Sequence, residues 1–276
     1  SQFTSLRVRA KLTQKQAAAA IQLSESTLLR IEHGDDRVKF KPVFVDLMLK
    51  AYGASAAERE ELEKLTAALS SGMKGWWHDF TDSGLPSWFS VYVSMEDSAD
   101  IIRKYETETV PGLLQTKEYA RLIIASPAGQ VPAEEAVRRV EARMERQGLL
   151  VRARAPRLEV VISEAALARL LGMGSTVARG QLERLLQVGQ FPNVSLRLIP
   201  WSVGVHGGMG AGGRFSLLQF PEDPVSGEPV EPPLVYVDSS PAGALYLDKP
   251  RDIDLYRTTW SDLLEHALDE QDTQQM

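Results

Sequence analysis

The stretch TQKQAAAAIQLSESTLLRIEHG, residues 13–34, limits what this chain can fold into more narrowly than any other. Thr13 precedes a run that includes four consecutive alanines, and alanine is the best helix former. We therefore predict a helix over residues 14–20 with Thr13 as its N-cap. A break of three residues follows. Ser24 is then expected to cap a second helix, which runs to about His33 and ends at the next glycine.

Two short helices joined by a tight turn form a helix-turn-helix, whose second helix lies in the major groove of DNA and presents its N-terminal residues to base edges. Leu28 and Ile31 lie three residues apart in the second helix and are predicted to point inward together with Leu23. Arg30 can pair with a guanine and Glu25 with a cytosine amine, whereas hydroxyl, amide and lysine side chains suit phosphates. The predicted DNA-binding residues are Gln14, Ser24, Glu25, Ser26, Thr27, Arg30, His33, Lys39 and Lys41.

Charge is distributed unevenly along the chain. The formal net charge is -6, yet the first fifty residues hold nine Lys or Arg against five Asp or Glu. Their net charge of +4 leaves -10 for the remainder. Because a local positive field steers a surface towards a polyanion, the asymmetry favours DNA binding by the N-terminal segment and disfavours it elsewhere. The alternative for this segment is a small helical bundle that binds protein instead of DNA.

Residues 6–53 resemble the Xre-type (Cro/repressor-like) helix-turn-helix domains. The matching residues are Leu12-Thr13-Gln14, Ala17, Leu23-Ser24, Ser26-Thr27, Arg30-Ile31-Glu32 and Gly34. The resemblance implies DNA contacts at Gln14, at residues 24–27 and at Arg30. The chain departs from the family at Gln22, where glycine is usual and a less tight turn is expected, and in its paired aspartates after the second helix, which would weaken a phosphate contact.

A different pattern begins at Trp76, where helical stretches alternate with short apolar runs that are typical of strands. Strands are predicted within 98–108 and at 157–163, 194–200, 214–220, 234–238 and 244–247. Helices are predicted at 116–126, 132–147, 163–172, 175–187 and 252–268. The predicted fold class is α+β overall, with an all-α domain at residues 1–69, a linker at 70–75, and a larger α+β domain with a mixed or antiparallel sheet at 76–276.

The most distinctive segment of the second domain is YETETVPGLLQT, residues 105–116, which is followed by an arginine-rich stretch at 138–147. With the strand that leads into a glycine-rich turn at 207–213, these segments resemble the C-terminal domain of a large group of actinobacterial regulators described as antitoxin-like. The resemblance implies that this domain binds a small partner protein that modulates DNA binding, and it implies no catalytic residue. The predicted ligand- or partner-binding residues are Trp76, Trp77, Trp88, Tyr105 and Gln115.

Other interpretations of the second domain stay open. The aromatic cluster that begins at Trp76 suits either core packing or a ligand pocket, so a one-component regulator with a small-molecule site is the alternative function. The arginines at 138–146 suit either a surface laced with ion pairs or a second DNA contact. Gly208, Gly210 and Gly213 satisfy G-x-G-x-x-G, but a strand is predicted after them where a dinucleotide site needs a helix, so a flexible or bulged loop is expected.

Composition and motif spacing limit the remaining functions. The chain has no cysteine, and its four histidines show no spacing typical of a metal site. No apolar run approaches the roughly 18 residues of a membrane span. We therefore expect a cytoplasmic protein that is not an enzyme, with no metal, cofactor or membrane contact. Because helix-turn-helix domains read symmetric half-sites on double-stranded DNA, a homodimer is expected.

Overall fold

Capping residues and apolar faces produce four helices in the described part of the N-terminal segment; the second and third lie where the sequence predicts them, whereas the first was not predicted. They are α1 (Gln2–Arg9), α2 (Gln14–Ile21), α3 (Glu25–His33) and α4 (Pro42–Ala51). The computed structural model describes residues 2–33, 42–56, 58–59, 62, 87–125, 132–222, 229, 231–238 and 243–276. Within those ranges the side chains left undescribed are those of Gln2, Ser26, Arg30, His33, Pro42, Val43, Ser87, Trp88 and Ser90.

Local conformation and hydrogen bonds define both ends of α2. Thr13 Oγ1 accepts from the Gln16 backbone N–H at 3.2 Å, and Gln16 Oε1 accepts from the Thr13 N–H at 3.0 Å, which completes the capping box at the start of α2. Gln22 ends α2 in the left-handed region, with φ 58° and ψ 35°. The expectation of a looser turn was therefore wrong, because Gln22 adopts the conformation that glycine usually supplies.

A buried ion pair ties the helices of the first domain together. Leu28 and Ile31 point into the core as predicted, and Glu32 beside them is also fully buried. Arg7 Nε of α1 donates to Glu32 Oε1 at 2.7 Å, and the Tyr52 hydroxyl after α4 donates to the same oxygen at 3.1 Å. Burial, followed by the charge of Glu32, raises the pKa of Tyr52. One carboxylate thus connects α1, α3 and the end of α4.

The second domain alternates helices and strands, which confirms the predicted α+β class. Its elements are α5 (Ser87–Ser98), β1 (Ile101–Glu106), α6 (Lys117–Ile124), α7 (Ala133–Arg146), β2 (Arg157–Ser163), α8 (Glu164–Ala168), α9 (Ser175–Val188), β3 (Val194–Ile199), α10 (Gly207–Gly210), β4 (Phe215–Gln219), β5 (Leu234–Asp238), β6 (Ala244–Leu247), α11 (Pro250–His266) and α12 (Glu270–Gln275). Short 3-10 turns lie at Gly112–Leu114, Gln147–Leu150, Arg169–Met173 and Trp201–Val203. The sequence did not predict α5, whose side chains are mostly buried.

The strands of the described residues form a six-stranded mixed sheet in the order β3-β2-β1-β4-β5-β6. β1, β2 and β3 are parallel, and β4, β5 and β6 extend the sheet by antiparallel pairing. Alternate side chains point to opposite faces. One face packs against α5, where the Tyr92 ring packs at a tilt against Tyr236 with ring centroids 4.2 Å apart. The other face packs against α11, where Trp260 contacts Phe215.

The two domains share a hydrophobic core, because α4 packs against α5. Buried side chains from Phe44 and Leu49 in α4 and from Val91 and Met95 in α5 belong to one cluster. The predicted linker at 70–75 lies outside the described residues and stays a prediction. No helix in the part of the chain that the structure describes is long and apolar enough to cross a membrane.

Candidate nucleic-acid interface and an interior charged cavity

The N-terminus of α3 presents polar groups on the surface, away from the buried Leu28 and Ile31. Ser24 caps the helix, since its Oγ accepts from the Thr27 backbone N–H at 3.1 Å. Glu25 is exposed at the first position of the helix, and Gln14 is half-buried at the start of α2. Of the other predicted DNA-binding residues, Lys39 and Lys41 lie outside the described residues. The side chains of Ser26, Arg30 and His33 do as well.

A carboxylate from the second domain occupies this helix terminus. Ser24 Oγ and Thr27 Oγ1 each donate to Asp248 Oδ2 at 2.5 Å. Asp248 follows β6 directly and precedes α11. Hydroxyl donors to an ionised acceptor form short, strong hydrogen bonds, and the helix dipole favours a negative charge at an N-terminus. The second domain therefore places an anion where a DNA phosphate is expected to bind.

The contact lies in a groove of about 890 Å³ between the two domains. The first domain lines it with Lys15, Ala18, Ala19, Gln22, Leu23, Ser24 and Glu25. The second domain lines it with Pro232, residues 244–250 and Asp252. The N-terminus of α3, at Ser24 and Glu25, therefore faces the β6–α11 segment across this groove.

A second feature lies inside the C-terminal domain, and we call it the charged cavity. It is a space of about 130 Å³ between the sheet face that carries Tyr236, the helices α5 and α7, and the turn at Gly112–Leu114. Its polar lining residues are Tyr92, Lys104, Glu106, Thr109, Gln115, Arg143, Arg146, Arg214, Ser216, Tyr236 and Asp238. Its other lining residues are Phe89, Val110, Gly112, Ile123 and Phe215. Four cationic side chains therefore line a small space together with two carboxylates.

The cations of the charged cavity are not equally neutralised. Three of them pair with carboxylates, namely Lys104 with Glu106 at 3.2 Å, Arg214 with Asp238 at 3.1 Å, and Arg146 with Glu96 at 2.7 Å. Arg143 Nη1 donates instead to the neutral Gln115 Oε1 at 2.8 Å, and no carboxylate oxygen of the described residues lies within 4.0 Å of it. Burial, followed by the charge of Arg146, lowers the pKa of Arg143 to about 10.

The VPGLLQ segment builds one wall of this cavity. A Cβ atom on Gly112 would lie 3.2 Å from Arg146 Nη2, so glycine leaves room for the Arg146 guanidinium group. Gln115 holds Arg143 with its oxygen while its nitrogen donates to the Val110 carbonyl at 2.6 Å. Gln115, predicted as a ligand- or partner-binding residue, thus lies in the cavity wall.

Tyr105 lies on the opposite face of the sheet, in a second cavity of about 660 Å³ at the carboxyl ends of the parallel strands. The glycine-rich run beside it forms α10, a short helix, and not only the loop that the sequence predicted. A Cβ atom on Gly208 would lie 2.5 Å from Tyr105 Cε1, so this glycine is required for close packing.

The predicted strand after the glycine-rich run is confirmed as β4. Trp76 and Trp77 lie outside the described residues, as does the side chain of Trp88.

We expect the Gly208→Ala variant to lower the stability of the second domain. The methyl group would overlap the Tyr105 ring, and overpacking of a core contact typically costs about 1–3 kcal/mol. Thermal unfolding of the variant measures the cost. Gly210→Ala is the matched control, since a Cβ atom there meets no atom within 4 Å. Equal melting temperatures for the two variants would contradict the packing argument.

Sequence reasoning missed the most informative residues of both sites. The sequence left the arginines at 138–146 as either a surface laced with ion pairs or a second DNA contact. Arg139 does pair with Glu135, but Arg146 is buried against Glu96, so neither alternative describes it. The spacing of Arg143 and Arg146 by three residues could have shown that they share a helix face that turns inward. Asp248 gave no signal, because its partner Ser24 is 224 residues away along the chain.

Comparison with known families identifies both parts of the chain. Residues 1–62 match a family described as a helix-turn-helix domain. Residues 89–276, more than half of the chain, match a family described as a domain of unknown function, DUF5753. No curated protein and no solved structure matches the chain. In the described residues, no group of three or more His, Asp or Glu side chains is arranged to hold a metal ion.

Proposed function

This chain belongs to the DUF5753 family and carries a helix-turn-helix domain ahead of that domain, and from this premise we propose that it is a sequence-specific transcriptional regulator of the Xre type. The observation that carries the proposal is α3 itself. Its apolar side is packed in the core, and its capped N-terminus presents hydroxyls and Glu25 on the surface. This is the arrangement by which a recognition helix reads the major groove. The regulator acts without catalysing a reaction.

The contact made by Asp248 supports the proposal that a DNA phosphate binds at the N-terminus of α3. A carboxylate and a phosphate are both anions that accept hydrogen bonds from hydroxyls at a helix N-terminus. Ser24 and Thr27 already hold such an anion at 2.5 Å. DNA therefore replaces Asp248 on these hydroxyls when it binds, and the domain contact described above is a closed state that must open first.

The finer parts of the proposal concern assembly. The regulator binds DNA as a homodimer, because helix-turn-helix domains read half-sites related by twofold symmetry. Its second domain binds a small partner protein, as the antitoxin-like regulators that it resembles imply. Exposed apolar side chains near the carboxyl ends of the parallel strands support such a surface. They are Trp201 and Met209, which line the second cavity. Large exposed apolar groups that cluster are typical of protein-binding surfaces.

We expect the Arg30→Ala variant to lose about 1–3 kcal/mol of binding free energy on a cognate site and much less on unrelated DNA. The reason is that an arginine at this position can form two hydrogen bonds with a guanine. Fluorescence anisotropy with DNA from around the protein's own gene, at several salt concentrations, measures the affinities. A steep dependence on salt would report phosphate contacts.

Arg257→Ala is the control for this measurement. It removes the same charge from an exposed side chain on α11 of the second domain. Equal losses for Arg30→Ala and Arg257→Ala would mean that only overall charge matters and would overturn base reading by α3. Comparison of a DNA with two half-sites and a DNA with one half-site tests the dimer, since a monomeric reader would bind both with the same affinity.

A further inference from the structure

We propose that the charged cavity binds a small organic carboxylate that pairs with Arg143. The cavity has a volume of about 130 Å³, and a protein cavity of about 150 Å³ is large enough to hold a benzene ring. A ligand of about one six-membered ring with its carboxylate therefore fits this space. Water alone would leave Arg143 without a directly bonded carboxylate among the described residues.

The unequal neutralisation of the cations identifies the binding group. Lys104, Arg146 and Arg214 each have a carboxylate partner within 3.2 Å, but Arg143 has only the amide oxygen of Gln115. Placing a cation in an interior site beside a second cation is unfavourable unless an anion accompanies it. Guanidinium and carboxylate groups match in geometry and form paired hydrogen bonds. A carboxylate beside Arg143 would restore the balance of charge.

The rest of the lining suits the body of an organic acid. Phe89, Val110 and Ile123 provide an apolar wall opposite the charges. Tyr236 also lines the cavity; it is 3 % exposed, and its hydroxyl has no hydrogen-bond partner among the described residues. Buried hydroxyls are nearly always hydrogen-bonded, so a ligand oxygen is the group that this phenol lacks. A carboxylate with a short apolar body satisfies both the cation and the phenol.

The location of the cavity connects it to the recognition helix. Tyr236 on β5 pairs with Tyr246 on β6, and the two rings lie 5.3 Å apart. Asp248, which holds Ser24 and Thr27, follows β6 by one residue. A ligand that shifts Tyr236 would act on the strand that positions Asp248. This consequence rests on the proposed function, whereas ligand binding itself does not.

Isothermal titration calorimetry on the full chain without DNA tests the site. The probes are acetate, benzoate and cyclohexanecarboxylate. Benzamide is the control that keeps the ring but lacks the negative charge, and inorganic phosphate is the control that carries the charge but lacks the organic body. At least one carboxylate is expected to bind and to raise the melting temperature of the protein, because a ligand that binds only the folded state stabilises it. Binding of none of the three, or equally tight binding of benzamide or phosphate, would overturn the proposal.

Three variants locate the binding to the cavity. Arg143→Met is expected to weaken binding by about tenfold or more, the loss of one charge-assisted hydrogen bond. Ile123→Trp fills the apolar side without changing a charge and should abolish binding. Arg138→Met, which removes an exposed charge from the same helix, should bind like the wild type. A folded Arg143→Met variant, or a folded Ile123→Trp variant, with unchanged affinity would overturn the site. Since DNA is absent, these outcomes are independent of those of the Arg30→Ala test.

Discussion

The Asp248→Asn variant is expected to bind DNA about tenfold more tightly than the wild type, because it weakens the contact that competes with DNA. Hydrogen bonds to a charged group contribute about 1.5–3 kcal/mol, and replacing the carboxylate by an amide removes much of this. The apparent affinity of a protein rises in proportion to the fraction of molecules in the binding-competent state. Loss of the anion from the terminus of α3 shifts the population towards that open state.

Asp252→Asn is the matched control for this effect. Asp252 lines the same groove and carries the same charge, so both variants relieve repulsion of DNA to a similar extent. Asp248 alone of the two is bonded to both Ser24 and Thr27. Fluorescence anisotropy on one cognate DNA compares the two variants with the wild type. The closed state would be rejected if Asp248→Asn gained no more affinity than Asp252→Asn.

Local signals allowed much of the first domain to be predicted from its sequence. Thr13 and Ser24 cap helices because their hydroxyls bond to amides only three residues away. The spacing of Leu28 and Ile31 placed the buried face of α3 correctly. Such interactions are encoded within a few residues and leave a recognisable pattern. The turn at Gln22 was misjudged because the packing of α2 and α3 outweighs the local preference for glycine.

The second domain shows where such reasoning fails. The strand segments were predicted, but their order was not, and β4 lies beside β1 although more than a hundred residues separate them. Lys104 and Glu106 in β1 form a charged pair, which sequence reasoning would ordinarily place on a solvent-facing surface. In the structure both side chains line the charged cavity. A charge can be buried there when the fold brings a distant partner near, as it brings Glu96 to Arg146. Tertiary pairing of this kind leaves no periodic signal in one sequence.

Arg7→Met is expected to lower the stability of the first domain by about 3 kcal/mol, since it leaves the fully buried carboxylate of Glu32 without its cation. The hydroxyl of Tyr52 would then be its main remaining partner. Native-state hydrogen exchange of the amides in α1 to α4 measures the free energy of opening of this domain alone. Global unfolding would not separate the stability of the first domain from that of the second.

Arg9→Met provides a comparison two residues away on the same helix. Arg9 also pairs with a glutamate, Glu58, but its side chain is 56 % exposed, and exposed pairs contribute little because water screens both charges. A much smaller loss is therefore expected for Arg9→Met. The double variant Arg7→Met with Glu32→Gln should recover part of the loss, because no unpaired charge stays buried. Similar losses for Arg7→Met and Arg9→Met, with no recovery in the double variant, would show that burial of the pair does not stabilise the helix-turn-helix domain.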